Sequence, residues 1–435
     1  MGDGGFLRIG NVNVFDSVAG RVDGPFDVTI DAGTVASVAS VASVASVSGG
    51  AAGGGGTDGP VIDGTGKTLM PGLIDAHWHT AFTTIPAAVA SMGEAGYVFA
   101  QAVVSARDTL MRGFTTVRDL GGPSFGIKLA IDQGSIPGPR IYPSGAFISQ
   151  TGGHGDFRMP NETPRGIAGH LSYSEIIGAA VIADGEDEVL RGAREMLRRG
   201  ASQLKLMAGG GVASSYDPLD VTQYTEREIR AAVDAAENWG TYVTVHAYTP
   251  RAVRAAIAAG VRCIEHGQLL DEDTVALMAE KDIWWCLQPF LDDEDAPPLA
   301  GPNRAKLLQM VQGTDNAYRL AIKHRVRVAF GTDTLFDARL ATRQGAQLAK
   351  LTRWYSPAEL LQQATMGNAE LLALSGPRNP YPGRLGVVAE GAIADLILVD
   401  GDPVADISLI AQPEKSFLAI IKGGQLVKGH GMQGA

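Results

Sequence analysis

The chain has 435 residues, of which 45% are hydrophobic, 19% are charged and 56 are glycine. This composition is typical of a folded α/β protein with many tight turns, and it argues against a coiled coil or a disordered chain. The formal net charge of -11 at pH 7 provides no basic surface for nucleic acid or an anionic membrane, so we expect neither as a partner. The composition therefore predicts a globular, enzyme-sized protein.

The cysteines and the N-terminus indicate where such a protein works. Cys263 and Cys286 are the only cysteines, and each lies in an apolar, strand-like run. This usage argues against a disulfide framework and for a reducing compartment. The N-terminus lacks the pattern of a signal peptide, and no apolar run reaches membrane-spanning length. We expect a cytoplasmic protein.

Both ends of the chain have strand character. Residues 6–35 alternate apolar and polar side chains, and strand-like runs return over residues 384–428, beginning at Leu385, Asp395 and Phe417. Two short β segments each need a partner face, so we expect them to join in one small β-sandwich. Between them, the Val-Ala-Ser repeat and glycines of residues 35–57 predict a low-complexity surface loop.

Between these ends, strand-like runs alternate with segments of helical period, such as Tyr97 to Arg112 and Thr225 to Trp239. Eight such units predict an α/β fold, a (β/α)8 TIM barrel, while a doubly wound sheet stays open as the alternative. We expect domains of residues 1–67, 68–378 and 379–435. The eight predicted strands end near His79, Asp119, Ser144, Met207, His246, His266, Gln288 and Asp333.

Residues able to bind a metal close several of these strands. His77 and His79 lie two apart, so on a strand both imidazoles point to one face. Taken singly, each candidate has an ordinary explanation as a core histidine, a salt-bridge lysine or a helix cap. In a barrel, however, the carboxyl ends of all strands meet at one mouth, where nitrogen and oxygen donors suit zinc or a similar ion. The further candidates are Lys205, His246, His266 and Asp333.

Lys205 needs a chemical change before it can join such a site, because an ammonium group cannot be a ligand. A neutral lysine amine reacts with CO₂ to form a carbamate, and burial beside cations favours the neutral amine. A carbamate on Lys205 has two anionic oxygens, which are enough to bridge two metal ions.

Taken together, these motifs resemble the amidohydrolase superfamily, and in particular its branch with two metals and a carboxylated lysine, which includes Xaa-Pro dipeptidases, carboxypeptidases and ochratoxin-degrading amidases. The resemblance implies two divalent ions, with zinc expected. It implies that His77 and His79 bind the more buried ion, that His246 and His266 bind the other, and that Lys205 bridges both. It also implies that Asp333 binds the buried ion and shuttles protons. The motifs that carry the resemblance begin at Thr68, Thr115, Leu204, Ile264 and Glu390.

The resemblance extends to the substrate. His154, in Gly-Gly-His-Gly-Asp, and Tyr248, in His-Ala-Tyr, match positions that hold the substrate carbonyl or its terminal carboxylate. The implied reaction is hydrolysis of the amide bond to a C-terminal amino acid, in a dipeptide, an N-acyl amino acid or an ochratoxin-type aryl amide. The run from Trp284 to Phe290 departs from the expected pattern and leaves side-chain selectivity open.

Three alternatives remain at this point: a cyclic-amide hydrolase or a deaminase of the same superfamily, and a non-catalytic scaffold that holds one metal. We also expect a homo-oligomer. The remaining histidines lie outside the strand ends and are assigned surface or structural roles; they are His170, His324 and His430.

Overall fold

The computed structural model describes residues 6–41, 59–214 and 216–429. It forms a (β/α)8 barrel and a separate, mostly antiparallel sheet built from both ends of the chain. Its strands, in chain order, are β1 (Leu7–Asp16), β2 (Arg21–Asp31), β3 (Thr34–Ser40), β4 (Val61–Asp63), β5 (Thr68–Pro71), β6 (Leu73–Trp78), β7 (Phe114–Asp119), β8 (Arg140–Pro143), β9 (Phe147–Ser149), β10 (Ala180–Ile182), β11 (Leu204–Met207), β12 (Val243–Ala247), β13 (Cys263–His266), β14 (Trp284–Leu287), β15 (Val328–Phe330), β16 (Leu396–Val399), β17 (Phe417–Lys422) and β18 (Gln425–Gly429).

The helices surround the barrel. Several begin with a side-chain cap: Thr225 forms a capping box with Glu228, for example. The α-helices are α1 (Ala87–Met92), α2 (Ala95–Met111), α3 (Phe125–Asp132), α4 (Arg165–Ala168), α5 (Tyr173–Ile176), α6 (Gly185–Arg198), α7 (Glu226–Asn238), α8 (Pro250–Ala258), α9 (Glu272–Glu280), α10 (Gly301–His324), α11 (Ala338–Thr342), α12 (Gln344–Ala349), α13 (Pro357–Gln362), α14 (Asn368–Ala373) and α15 (Pro413–Ser416).

The barrel strands pair in parallel in two runs, β6-β7-β8 and β9-β11-β12-β13-β14-β15, with β10 beside β9. The third strand of the barrel is interrupted after β8 and resumes as β9. The Gln203 side chain spans this break by donating to the Tyr142 carbonyl and to Ser144 Oγ, both at 2.9 Å. Eight consecutive positions around the barrel therefore match the predicted eight βα units.

A side chain closes the seam between the first and last barrel strands. Asn368 Nδ2 donates to the carbonyls of Ile74 and Phe330, each at 2.7 Å, and Asn368 Oδ1 accepts from the Phe330 N–H at 3.1 Å. Asn368 follows a short π-helical turn, Gln363–Gly367, in which an extra residue per turn changes the direction of the following side chains. The amide of Asn368 thus bonds to both strands, β6 and β15, at this seam.

Alternation along the strands separates the core from the barrel interior. Leu206, Val245 and Ile264 are fully buried among the helices. Their neighbours Lys205 and His246 occupy the alternate positions, which point to the barrel axis. The main apolar core therefore lies between the strands and the helices, and the chemistry-bearing side chains lie inside the barrel.

The terminal sheet has the order β18-β17-β16-β5-β1-β2-β3, with β4 beside β1. β16 pairs antiparallel with β5, which confirms that the two ends of the chain join. The inward side chains of this sheet, such as Ile9, Val28 and Leu398, form a core of their own.

Two predictions for the terminal segments need revision. The run from Leu385 to Val388 is not a strand, because only an isolated bridge forms there, between Arg384 and Ala392. The start of the Val-Ala-Ser repeat continues the sheet as β3, whose Val35 side chain is fully buried in the core of the sheet. The remainder of the predicted loop, residues 42–57, lies outside the described residues.

Candidate metal centre

The six predicted ligands stand at the carboxyl ends of five barrel strands and line one cavity. His77 and His79 come from the end of β6, and Asp333 follows β15. The histidines and the lysine each expose 4% of their surface or less, whereas the Asp333 side chain exposes 17%. The other three ligands are Lys205 on β11, His246 on β12 and His266 on β13.

The Asp333 carboxylate lies at the centre of this group. Its Oδ1 is 3.1 Å from His77 Nε2 and 3.3 Å from His79 Nε2, and its Oδ2 is 3.9 Å from His266 Nδ1. The ring of His246 continues the group, with its centroid 4.5 Å from that of His266. All four histidines and the aspartate therefore share one small volume.

Each of the four histidines has one ring nitrogen bonded to an oxygen acceptor. His77 Nδ1 donates to Glu265 Oε2 at 2.8 Å, and His266 Nδ1 donates to Gln288 Oε1 at 2.7 Å. An N–H held on one nitrogen leaves the opposite nitrogen with a free lone pair, which is the arrangement of metal-binding histidines. The other two donate to backbone carbonyls: His79 Nδ1 to Gly121 and His246 Nε2 to Gly210, both at 2.9 Å.

Burial keeps two of these rings uncharged. It lowers the pKa of His266 to about 3, although Asp333 opposes the shift. Burial, aided by His154, also holds the pKa of His246 well below its usual range. Burial likewise lowers the pKa of Lys205, against the attraction of Glu265 and Asp333. Neutral imidazoles are the form that binds a metal, and a neutral amine is the form that reacts with CO₂.

The carboxylate of Asp333 stays ionised. Burial alone would raise its pKa, but the charge and hydrogen bond of His77, together with His79, hold that pKa well below its usual range. The site thus combines two neutral imidazoles, those of His246 and His266, with an anionic oxygen donor. The atoms of His77, His266 and Asp333 that are able to bind one ion all lie within 4.8 Å of one another, so these residues fit a divalent ion.

Two site residues adopt left-handed backbone conformations, with φ of 74° at His266 and 51° at Asp333. Non-glycine residues rarely do so, and such strain is concentrated at functional sites. At His266 the consequence is geometric. Consecutive strand residues normally point to opposite faces, yet Glu265 and His266 both contact the site.

A buried ion pair lies beneath His77. Arg118 Nη2 donates to Glu265 Oε1 at 2.7 Å, and both side chains are fully buried. Burial would raise the pKa of Glu265, but Arg118 holds it well below its usual range. The ionised carboxylate then fixes the Nδ1–H of His77 and orients the ring.

Cys286 approaches this pair, and its sulfur lies within 4.8 Å of ligand atoms of His77 and Glu265. Burial raises the pKa of the Cys286 thiol well above its usual range, so the thiolate needed for metal binding is disfavoured. Glu265 is also already engaged by Arg118.

Asp75 joins the strand ends that carry His77 and Asp333. Its carboxylate accepts from the N–H groups of His77 and Thr332 at 3.0 and 3.1 Å, and from Gln344 Nε2 at 2.8 Å. The Asp333 N–H in turn donates to the His77 carbonyl at 2.8 Å. These bonds hold the two segments that carry the predicted ligands in register.

His154 and Tyr248 lie directly against the predicted ligands. The His154 ring stacks on His246 with centroids 4.2 Å apart, and Tyr248 meets His246 edge-on at 4.7 Å and His266 at 5.1 Å. Burial, with Asp333 and Asp217 nearby, raises the pKa of Tyr248 well above its usual range, so its hydroxyl remains a donor. The structure brings both residues to the site.

A cavity of about 1260 Å³ opens from this centre. It is larger than the roughly 300–1,000 Å³ typical of small-molecule sites. Its lining includes five phenylalanines, namely Phe82, Phe147, Phe157, Phe290 and Phe336. Its volume leaves room for a bulky group beside the predicted ligands.

The other histidines lie away from this centre. His170 is exposed, and His324 ends helix α10 beside Glu272 at 3.1 Å. His430 lies outside the described residues.

Sequence reasoning missed the roles of Glu265 and Arg118, although both stand inside the motifs that carry the family resemblance. A charged residue within a buried strand is costly unless paired, and that was the available signal.

The chain resembles several known proteins. The family model described as the amidohydrolase family matches residues 68–427. An ochratoxinase from Aspergillus niger is 35% identical over 376 residues, covering 84% of this chain and 76% of that protein. A solved prolidase complexed with N-methylphosphonate-L-proline is 33% identical with a TM-score of 0.86, covering 98% of this chain and all of that one. A solved Xaa-Pro dipeptidase with bound methionine is 27% identical with a TM-score of 0.80, covering 98% and 100%.

Proposed function

The chain belongs to the amidohydrolase family and is a hydrolase of amide bonds, and from this premise we propose that it releases a C-terminal amino acid from N-acyl or dipeptide substrates. The observation that carries the proposal is the contact of both His154, which stacks on His246, and Tyr248, which meets it edge-on, at the floor of the cavity. These donors stand beside the reacting centre, where a substrate's terminal carboxylate needs partners.

We assign two divalent ions, with zinc expected, to the six ligands. His77, His79 and Asp333 would hold the more buried ion, and His246 and His266 the other. Lys205, carboxylated at Nζ, would join the two. When bound, such ions supply a water of lowered pKa and polarise the substrate carbonyl.

Asp333 is the proposed proton carrier. Its Oδ1 faces His77 and His79, so Oδ2 is the oxygen that takes a proton from the attacking water and delivers it to the leaving nitrogen. The low pKa of the carboxyl means that it holds the proton only briefly. The amide C–N bond breaks, and the products are a carboxylate and an amine.

His154 and Tyr248 are the proposed partners of the substrate carboxylate. His154 Nδ1 is hydrogen-bonded to Ser214 Oγ, which leaves the ring's Nε2 for the substrate carboxylate. The Tyr248 hydroxyl stays protonated and is the second donor. A charge-assisted hydrogen bond of this kind contributes roughly 1.5–3 kcal/mol. The aromatic wall of the cavity would receive the acyl group, which favours bulky aryl amides and N-acyl amino acids.

A release assay tests this proposal. The zinc-loaded protein is incubated with N-acyl amino acids, Xaa-Pro dipeptides and ochratoxin A, and the free amino acid is measured. We expect release from at least one carboxylate substrate and little from its C-terminal amide. Cleavage of a cyclic amide or loss of ammonia from an aminopurine in parallel reactions, with no amino acid released, would contradict the proposal.

Oligomeric state and location belong to the same proposal. We also propose a homo-oligomer, for which the exposed apolar side chains of Met92, Ile167 and Ile176, each 67 to 79% exposed, are candidate contacts. Light scattering measures the particle mass directly.

The two cysteines are unpaired and buried, which supports a cytoplasmic location. Within the described ranges, none of the helices combines the length and apolar character needed to cross a bilayer.

A further inference from the structure

Lys306, on helix α10, reaches into the barrel mouth and binds three backbone carbonyls. Its ammonium group donates to Gly211 at 3.0 Å, to Ser214 at 2.9 Å and to Asp217 at 2.8 Å. An ammonium group has three N–H donors, so this set uses all of them. Lys306 therefore ties together the backbone at residues 211, 214 and 217.

The same backbone carries the partners of His154. Ser214 Oγ lies 2.7 Å from His154 Nδ1, and Asp217 Oδ2 lies 3.2 Å from it. Asp217 Oδ2 also accepts from the Gly211 N–H at 2.7 Å, which fixes the carboxylate. Ser214 and Asp217, which both contact His154 Nδ1, therefore lie on the backbone segment that Lys306 holds.

The absence of a side chain at Gly211 leaves the space that the His154 ring occupies. A Cβ built at Gly211 would lie 1.8 Å from His154 Nδ1, so the ring occupies the space that any larger residue would fill. On its other side the ring stacks on His246, and the His154 N–H is fixed by Gln223 Oε1 at 2.9 Å. The imidazole is confined on several sides.

From these contacts we infer that Lys306 is a positioning residue, which acts through Ser214 and Asp217 to aim His154 at the substrate's carboxylate. The inference rests on the proposed function, since it needs His154 to bind the substrate. Lys306 does not touch the metal-binding histidines in any of these contacts. Its loss should therefore weaken carboxylate binding and leave the metal site intact.

Steady-state kinetics of Lys306→Met test this. Methionine retains a long apolar side chain and removes the three donors. On the best carboxylate substrate of the release panel we expect KM to rise about tenfold, the size of one weakened charge-assisted bond, with kcat changed much less. On the C-terminal amide of that substrate, the variant and the wild type should differ little.

Lys323→Met is the matched control, because Lys323 lies on the same helix and pairs with Glu272 on the surface. It should match the wild type on both substrates. Lys306→Arg retains donors and should restore most of the affinity. An equal loss on the acid and on the amide would overturn the inference, and so would reduced metal content in Lys306→Met, measured by elemental analysis.

Asp217→Asn provides a second variant in case Lys306→Met does not fold. It keeps the shape of the side chain and removes the charge that meets His154, so KM for the acid should rise while KM for the amide stays unchanged. Unchanged kinetics on both substrates would overturn the inference.

Hydrogen exchange separates this inference from the proposed function. In Lys306→Met, exchange should increase in peptides covering residues 209–218 and 150–156, and it should not increase in Lys323→Met. Faster exchange in 209–218 alone would show that Lys306 does not act on His154. If the wild type cleaves nothing in the panel, the proposed function fails, and the exchange result still decides whether Lys306 and His154 are coupled.

Discussion

At the scale of a single side chain, the proposed mechanism gives Asp333 two tasks. One carboxylate oxygen faces His77 and His79, and the other is the proposed carrier of the proton. Its left-handed backbone and its N–H bond to the His77 carbonyl hold the carboxylate at this point. A ligand role and a proton-carrier role therefore depend on different properties of the same group, and they are separable by mutation.

Asp333→Asn separates them. Asparagine keeps an oxygen for the metal and lacks the basic oxygen that carries the proton. We expect kcat to fall by about two to four orders of magnitude while metal content drops little. Asp271→Asn, at the exposed N-cap of α9, is the control and should be unaffected. An unchanged rate in Asp333→Asn would rule out proton transfer by this residue.

Lys205→Ala tests the proposed metal bridge. The variant should lose most of its bound metal and nearly all activity, since the anionic oxygens of the carbamate are lost. Elemental analysis measures the metal, and Lys323→Ala serves as the exposed control. Short carboxylic acids added with bicarbonate should restore part of the activity by supplying oxygens. Full activity in Lys205→Ala would exclude a lysine bridge.

Strand ends were predictable because local periodicity marks them. β11 ends at Met207 and β13 at His266, as expected, whereas β15 ends at Phe330, three residues before the predicted Asp333. A charged residue in a buried strand indicates that Glu265 needs a partner, but neither the identity of that partner nor the contacts of Lys306 were predictable. They depend on contacts between segments far apart in the chain, which no local pattern encodes.

At the scale of elements, the barrel seam depends on Asn368. Its amide makes three buried hydrogen bonds that bridge β6 and β15, the strands that lead into His77 and Asp333. Because a strand pair is normally joined by a ladder of backbone bonds, a seam that relies on a side chain for three of its bonds should be sensitive to the loss of that side chain.

Asn368→Ala should be strongly destabilising. Truncation leaves buried carbonyls and an N–H without partners, and each such group costs about 1–3 kcal/mol, so we expect a total loss of roughly 3 kcal/mol or more. Urea unfolding of the variant measures the change. Asn238→Ala, at the exposed end of α7, should lie within about 0.5 kcal/mol of wild type. An equally small effect at Asn368 would contradict its role in the seam.

At the scale of the whole molecule, bound metal should contribute to the stability of the barrel. The ligands come from five strands, so an ion that binds only the folded state links β6, β11, β12, β13 and the segment after β15. Chelation should lower the melting temperature, and added zinc should restore it. For Lys205→Ala we expect a much smaller response to the chelator, measured by calorimetry. A melting temperature insensitive to chelation in wild type would contradict this linkage.

The bonds that join the first and last barrel strands also determine when the site can form during synthesis. Asp75 and Thr332 are separated by 257 positions, and Asn368 lies 294 positions after Ile74. A ribosome must therefore release most of the chain before the histidines of β6 meet Asp333. Contacts this distant in sequence form late, because a long loop must close first. Metal uptake should thus be among the last events in the maturation of a newly made chain, and a loaded site would mark a completed barrel.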